Sequence, residues 1–218
     1  MKKIDLILGL PKTIWFNFCQ LPFKEAIKLP VVVSWRTKFK SLKGKVQIDA
    51  PIKTAMVRIG MDGSGTAFYQ PVVIENNGTL VFEKGVQFGG GGGQICTMNS
   101  ESIFAVRSNT KFMGEYHIVA EGRIDVGSGC AVSWNTQIMD TDIHNLLEGE
   151  SIANKHKDVV IGNHVWVGSK TTIGKGVSIP NDTVIACESL ILKSFDKERC
   201  AITGMPIKVL KEEVDWKM

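Results

Sequence analysis

Several things that would fix the class of this protein at once are scarce or missing in its 218 residues. Cysteine occurs five times, an odd number, at 19, 96, 130, 187 and 200, and no CxxC pair is present. That argues against a disulfide framework and a zinc knuckle and fits a reducing compartment. No apolar run approaches the ~20 residues a membrane-spanning helix requires. Net charge is only +4, from 26 basic and 22 acidic residues, too little to make nucleic acid the default partner. Tyrosine is almost missing, with 2 against 10 phenylalanines, so aromatic packing is expected to be modest. Met1-Lys2-Lys3 resembles the start of a secretory leader. The stretch that follows, residues 4–10, is short, carries Asp5 and lacks a small-residue cleavage site. No signal peptide is therefore expected, and the expected compartment is the cytoplasm.

Glycine, by contrast, is abundant: 22 residues, about 10% against roughly 7% in ordinary chains. Tight corners are implied. With 44% hydrophobic and 22% charged residues the chain is folded rather than disordered, and its length suits one domain with an appendage.

The decisive pattern is a repeat. Ile161, Val167, Ile173, Ile179, Ile185 and Ile191 stand six apart without interruption. Gly162, Gly168, Gly174, Pro180 and Ala186 follow the first five, and Val165, Thr171, Val177, Thr183 and Ser189 come four positions after them. A period of six fits neither the 3.6 residues of a helical turn nor the alternation of a strand. It fits a β-solenoid in which each hexapeptide supplies one flat side and one corner. The aliphatic points inward, the small residue fills the rest of the side, and Asn163, Lys175-Gly176 and Asn181-Asp182 mark corners. Stacked coils bury a continuous aliphatic column, so no repeat is stable alone.

Val126-Gly127, Val132-Ser133 and Ile138-Met139 carry the same pattern, but the spacing from Ile138 to Ile161 falls one position short of four hexads. Residues 141–158 are accordingly expected to leave the solenoid as a loop, the usual place for chemistry on a rigid scaffold. Upstream, Leu80/Val86 and Phe82/Phe88 suggest further coils with weaker spacing. Gly89 to Gly93 is a run of five glycines followed by Gln94-Ile95 rather than the GK[ST] of a phosphate loop, so a crowded or mobile corner is expected; Asp62-Gly63-Ser64-Gly65 reads as a turn.

The first 50 residues lack the repeat. Prolines 11, 22 and 30 divide them into short pieces of potential helix, and Val31 to Lys40 alternates as one strand with a basic face. Arg36, Lys38, Lys40, Lys43 and Lys45 form either a solvated face or a surface for an anionic acceptor or lipid headgroups. The segment with Trp15, Phe16, Phe18 and Phe23 is expected to pack as a cap on the end of the solenoid, with a membrane-resting helix as the alternative. The organisation expected is a cap over residues 1–50, a solenoid over 51–195 and a tail over 196–218.

The hexads from Ile161 to Ile191, the segment from Ile161 to Ser169 (IGNHVWVGS) and the tail from Thr203 to Lys211 (TGMPIKVLK) resemble the hexapeptide-repeat acyltransferases. That group includes galactoside, maltose, serine and xenobiotic acetyltransferases and the sugar O-acetyltransferases of surface-polysaccharide clusters. The resemblance, over about residues 75–211, implies an all-β fold, a left-handed parallel β-helix with an N-terminal cap, an expelled loop and a short C-terminal tail. It also implies a homotrimer with active sites between neighbouring solenoids, acetyl-CoA as co-substrate, and a hydroxyl of a sugar or polysaccharide precursor as acceptor.

Catalysis would follow from a neutral imidazole taking the hydroxyl proton as the thioester is attacked, with no covalent enzyme intermediate. Of His117, His144, His156 and His164, the resemblance places the catalytic one at His144, with Asp142 or Asp140 orienting it. His164 is expected at a solvent-facing corner, His156 on the surface and His117 without a role. For the donor, the resemblance implies Trp166, Gly168 and Ser169 along the pantetheine arm and thioester, a backbone N–H there serving the oxyanion, and Lys193, Lys208 and Lys211 near the CoA phosphates. Trp134 and Asn135 are candidate groove residues. The competing readings are an N-acetyltransferase on an amino sugar or amino acid, a catalytically silent binding solenoid, and a metal-dependent protein of the γ-carbonic-anhydrase type. The last needs three converging histidines, whereas His144 and His164 lack a third at coil spacing, so no metal is expected.

Overall fold

The computed structural model describes residues 3–61 and 70–217. The turn expected at Asp62–Gly65 lies outside them. Two helices, α1 (Lys3–Gln20) and α2 (Phe23–Ala26), precede a succession of short strands. The strands stack in parallel into three sheets, of nine, seven and six strands, which form the three sides of a prism.

Register shows how the hexads build the sides. Ile161 pairs with Ile179, Val167 with Ile185 and Ile173 with Ile191, so three hexads make one turn. All six residues are at most 2% exposed. Val165, Thr171, Val177, Thr183 and Ser189 are buried as well. The hydroxyls of Thr183 and Ser189 donate to the carbonyls of Pro180 (3.0 Å) and Ala186 (2.7 Å), which satisfies them inside an apolar column. Left-handed backbone recurs at the same interval, at His164, Lys170, Gly176, Asp182 and Glu188. The corner is thus set by position in the hexad and accepts residues other than glycine or asparagine.

Between Ile138 and Ile161 the step from one side to the next, a single hexad from Ile161 onward, takes almost four. The additional length is an excursion at the corner between the second and third sheets, closed by a small antiparallel hairpin, Leu147–Glu148 with Ser151–Ile152.

Toward the N-terminus the turns lengthen. Phe82 pairs with Val106 and Phe88 with Phe112, each a full four hexad lengths on rather than three. The wider interior takes aromatic rings: Phe88 stacks on Phe112 at 4.8 Å between centroids, and Tyr116 lies 5.6 Å from both. The glycine run is a crowded corner. A Cβ on Gly93 would collide with the Tyr116 ring, and one on Gly89 with the Met113 carbonyl.

The parallel sheets begin before the recognisable repeat. Val31–Val33 pairs with Val57–Ile59, Lys38–Leu42 with Val72–Asn76 and Lys45–Ile48 with Thr79–Phe82. The expected single strand from Val31 to Lys40 is two, on different sides of the prism, because the chain turns at Ser34–Thr37, where the Thr37 N–H donates to Ser34 O at 3.0 Å. The expected break at Pro11 is also absent: α1 runs through it, and Pro11 lies on the exposed side.

α1 closes the open end of the first sheet in an uncommon way. It buries Gly9, Thr13, Phe16, Asn17 and Gln20. Asn17 donates to Val31 O (2.6 Å) and accepts from Val31 N–H (3.2 Å), while the Thr13 hydroxyl accepts from Val33 N–H (3.1 Å). Gln20 donates to Leu42 O (3.0 Å) and accepts from the Asn76 amide (2.6 Å). Side chains thus take the hydrogen bonds a further strand would have made, and an exposed strand edge is removed. The cap is present, but it packs through a polar stripe. Of its aromatics, Phe16 is buried, at 5.4 Å from Phe39, while Phe18 and Phe23 face outward.

Candidate active site

His144 stands on the expelled loop, exposed, immediately after a strained turn. The His144 N–H donates to Asp142 O at 2.7 Å across Ile143, whose φ is +68°. That is a γ-turn of the rare kind, and a β-branched residue at positive φ is an outlier costing about 1–3 kcal/mol. The surroundings hold it. Asn154 donates to Asp142 Oδ2 (2.8 Å) and to His144 O (2.8 Å), and accepts from Leu146 N–H (2.5 Å), so one amide joins both arms of the loop. Lys175, one coil further along the prism, bonds the Asp142 carboxylate and donates to Asn154 O at 2.9 Å. Lys175 first, and Asn154 second, hold the Asp142 carboxyl below its ordinary range.

The root of the loop is fixed by Asp140. It is buried and accepts the N–H groups of Glu121 and Gly122, both at 2.8 Å. Burial pushes its carboxyl up, and the two N–H donors counter part of that. Thr141 donates its hydroxyl to Glu121. Neither Asp140 nor Asp142 is hydrogen-bonded to the imidazole; both are engaged in holding the loop.

The other candidates fall on different sides of the prism. Trp166 projects outward from the first sheet, 42% exposed, its indole N–H donating to Ser133 Oγ at 3.3 Å. Register links it through Val184 and Ala201 to Lys211. Cys200–Thr203 and Lys208–Glu212 form an antiparallel hairpin whose pairing shifts between Ala201 and Ile202, and that shift brings Lys208 to the same outward face as Lys211. Trp166 and Lys211 therefore share one row, three strand spacings or about 14 Å apart. Gly168 and Ser169 lie at the end of this side. The Gly168 N–H already donates to Ile185 O at 2.8 Å. Lys193 does not join them: with Ile173 paired to Ile191, it sits on the corner that carries the loop.

His164 departs from the solvent-facing expectation. Its ring stacks on Trp216 at 4.6 Å and 8°, Nδ1 lies 2.8 Å from Asp182 Oδ1, and the Trp216 indole donates to His164 O at 2.9 Å. The C-terminal segment is thereby folded back beside Trp166, 6.0 Å from Trp216 between ring centres. His156 stays exposed but packs beneath Gly122. His117, Trp134 and Asn135 are exposed. Among the described residues no group of three metal-binding side chains converges.

Sequence reading missed Lys175, Asn154 and Trp216. Lys175 had a signal: once Ile138 is paired with Ile173, Asp140 falls opposite Lys175, beneath the loop. Asn154 and Trp216 lie outside the periodic region and carried none.

No family model matches the chain. Over 128 residues it is 38% identical to the polysialic acid O-acetyltransferase of Neisseria meningitidis, an alignment that takes in 57% of this chain and 59% of that one. By sequence it is similar to the hexapeptide-repeat sugar O-acetyltransferases. The chain spans less than two thirds of that curated relative's length. The structure of the polysialic acid O-acetyltransferase OatWY superposes with a TM-score of 0.55 at 25% identity, covering 84% of this chain and 91% of that one. The polySia-specific acetyltransferase NeuO superposes with a TM-score of 0.53 at 20% identity, covering 81% and 89%. The fold is the left-handed β-helix.

Proposed function

We propose that the protein transfers an acetyl group from acetyl-CoA to a hydroxyl of a surface polysaccharide or its sugar precursor, in the cytoplasm. The observation that carries this reading is His144, exposed on a braced excursion from a β-helix whose relatives include sugar O-acetyltransferases. The His144 imidazole takes the proton of the acceptor hydroxyl as its oxygen forms the ester bond to the acetyl carbon. The carbon–sulfur bond then breaks and the imidazolium returns the proton to the CoA thiolate. Asp142 is a positioning residue: with Lys175 and Asn154 it fixes the loop backbone that presents the ring.

The donor would lie along the outward row of the first sheet. Trp166 offers a flat apolar surface, and Lys208 and Lys211 offer charge-assisted hydrogen bonds to phosphates, as does Lys193 from the loop's corner. Because the Gly168 N–H is already in the ladder, Ser169 is the better donor to the developing oxyanion. Within one chain, His144 and this row are separated by the second side of the prism. A homotrimer, with the loop of one subunit beside the first sheet of its neighbour, would bring them together.

The test is release of free thiol from acetyl-CoA with a panel of acceptors: sialic acid polymers, neutral hexose polymers, nucleotide sugars and amino sugars. Turnover with a hydroxyl acceptor is expected. His144→Ala should lower kcat by roughly 100- to 10,000-fold on that acceptor. Near-normal turnover by the variant would remove His144 as the base, and turnover confined to amines would replace O- by N-acetylation.

A further inference from the structure

α1 is an amphipathic helix turned inside out. Its polar stripe, Thr13, Asn17 and Gln20, is buried against the sheet edge, and its apolar stripe faces outward. Ile7, Leu10, Ile14, Trp15 and Phe18 are between 42% and 67% exposed. At 100° per residue they cover an arc of about 140°. The surface continues onto α2, where Phe23, 70% exposed, lies 5.8 Å from Phe18 between ring centres. A contiguous outward apolar face of this kind marks an interaction site.

Its border is cationic. Lys24 and Lys28 are exposed on and after α2, and Lys38 is exposed beside Phe39, whose ring is 5.4 Å from Trp15. Arg36 lies over the exposed Trp35 at 4.8 Å. Residues 1–48 hold ten basic and two acidic side chains, whereas the remaining 170 hold 16 and 20. The positive charge of the whole protein therefore belongs to this end. A second copy of the same end would bring like charge against like charge, while an anionic lipid surface complements it. Among the described residues no helix is long and apolar enough to cross a bilayer, so α1 would lie in its plane.

We propose that the outward face of α1 and α2 docks on an anionic membrane surface, the apolar stripe entering the headgroup boundary and Lys24, Lys28, Arg36 and Lys38 meeting lipid phosphates. The test is co-sedimentation of the full chain with vesicles of phosphatidylcholine mixed with phosphatidylglycerol and with vesicles of phosphatidylcholine alone. Binding to the mixed vesicles that weakens with salt is expected. It should fall at least about tenfold in Ile14→Glu/Phe18→Glu and in Lys24→Glu/Lys28→Glu. Tryptophan emission should shift to the blue on binding, and the shift should shrink in Trp15→Phe. Should Ile14→Glu/Phe18→Glu fail to reach wild-type melting behaviour, Phe23→Glu/Ile27→Glu, at the first residue of α2 and the residue just after it, both exposed, serves in its place. Absence of wild-type binding to the mixed vesicles, equal binding by the folded double variants, or a loss of native mass in those variants without vesicle binding by the wild type would overturn the proposal. The last result would assign the face to a second copy of the chain.

Discussion

From residue 80 to residue 116 the interior of the prism holds Leu80, Phe82, Phe88, Phe104, Phe112 and Tyr116 beside Val86, Ile95 and Val106; from 159 to 191 it holds isoleucine and valine, with Thr171, Thr183 and Ser189 following the corners. A turn takes four hexad lengths in the first region and three in the second. The difference shows what the hexad rule measures. Three hexads enclose a triangle with room for one aliphatic side chain per side, and each is stacked on a like neighbour. Longer turns enclose more, and rings that interlock at 4.8 to 6.1 Å fill the space. The first region depends on mutual fit among unlike side chains, the second on repetition.

Deleting a ring should expose that dependence most. Phe88→Ala removes a fully buried side chain in contact with four other rings and should cost about 3–5 kcal/mol, read as a lower denaturant midpoint. If the cost stays under ~1 kcal/mol, the aromatic coils are loosely packed and the contrast fails. Adding a ring should be resisted where the triangle is narrow. Ile173→Phe, between Ile138 and Ile191, should cost about 1–3 kcal/mol by the same measurement, and a neutral result would mean the three-hexad turn has slack.

The smallest effect concerns the loop that divides the two regions. Asp142 is held below the ordinary carboxylate range, chiefly by Lys175, so its folded form binds a proton less readily than the unfolded chain. Its contribution is therefore complete above the usual carboxylate pKa and is lost as pH falls through and below about 4. The pair is half-exposed, which limits it to about 0.2–1 kcal/mol. Amide exchange in residues 141–158 should quicken below that pH in the wild type. In Lys175→Met it should be fast already at neutral pH. An unchanged profile in the variant would detach the loop's order from this pair.

The contrast also explains what could be read in advance. Ile161 to Ile191 announced their own stacking because like residues recur at the interval that brings them into contact. Phe88 and Phe112 stack at 4.8 Å between ring centres, but across a longer turn whose other positions break the six-residue spacing, so only the neighbouring coil reveals them. Among the candidate site residues, His144 was legible as one of two histidines in a segment that breaks the period, and the resemblance chose it over His156. The braces around it were not. Asn154 is one polar loop residue among many until its amide is seen to meet Asp142 and the His144 carbonyl. Lys208 and Lys211 were singled out only through the resemblance, and their shared outward face comes from a shift in strand pairing.

By itself the sequence determined the coil, since a six-residue aliphatic rhythm can be buried continuously only by winding into a three-sided stack, and it determined where the stack would be interrupted. Tertiary structure alone decided which way α1 faces. Apolar and polar stripes on a helix do not say which is to be buried. Here the open edges of the first and second sheets need hydrogen bonds more than they need oil, so Thr13 and Asn17 turn toward the first, Gln20 toward the second, and the apolar stripe is left for something outside the chain.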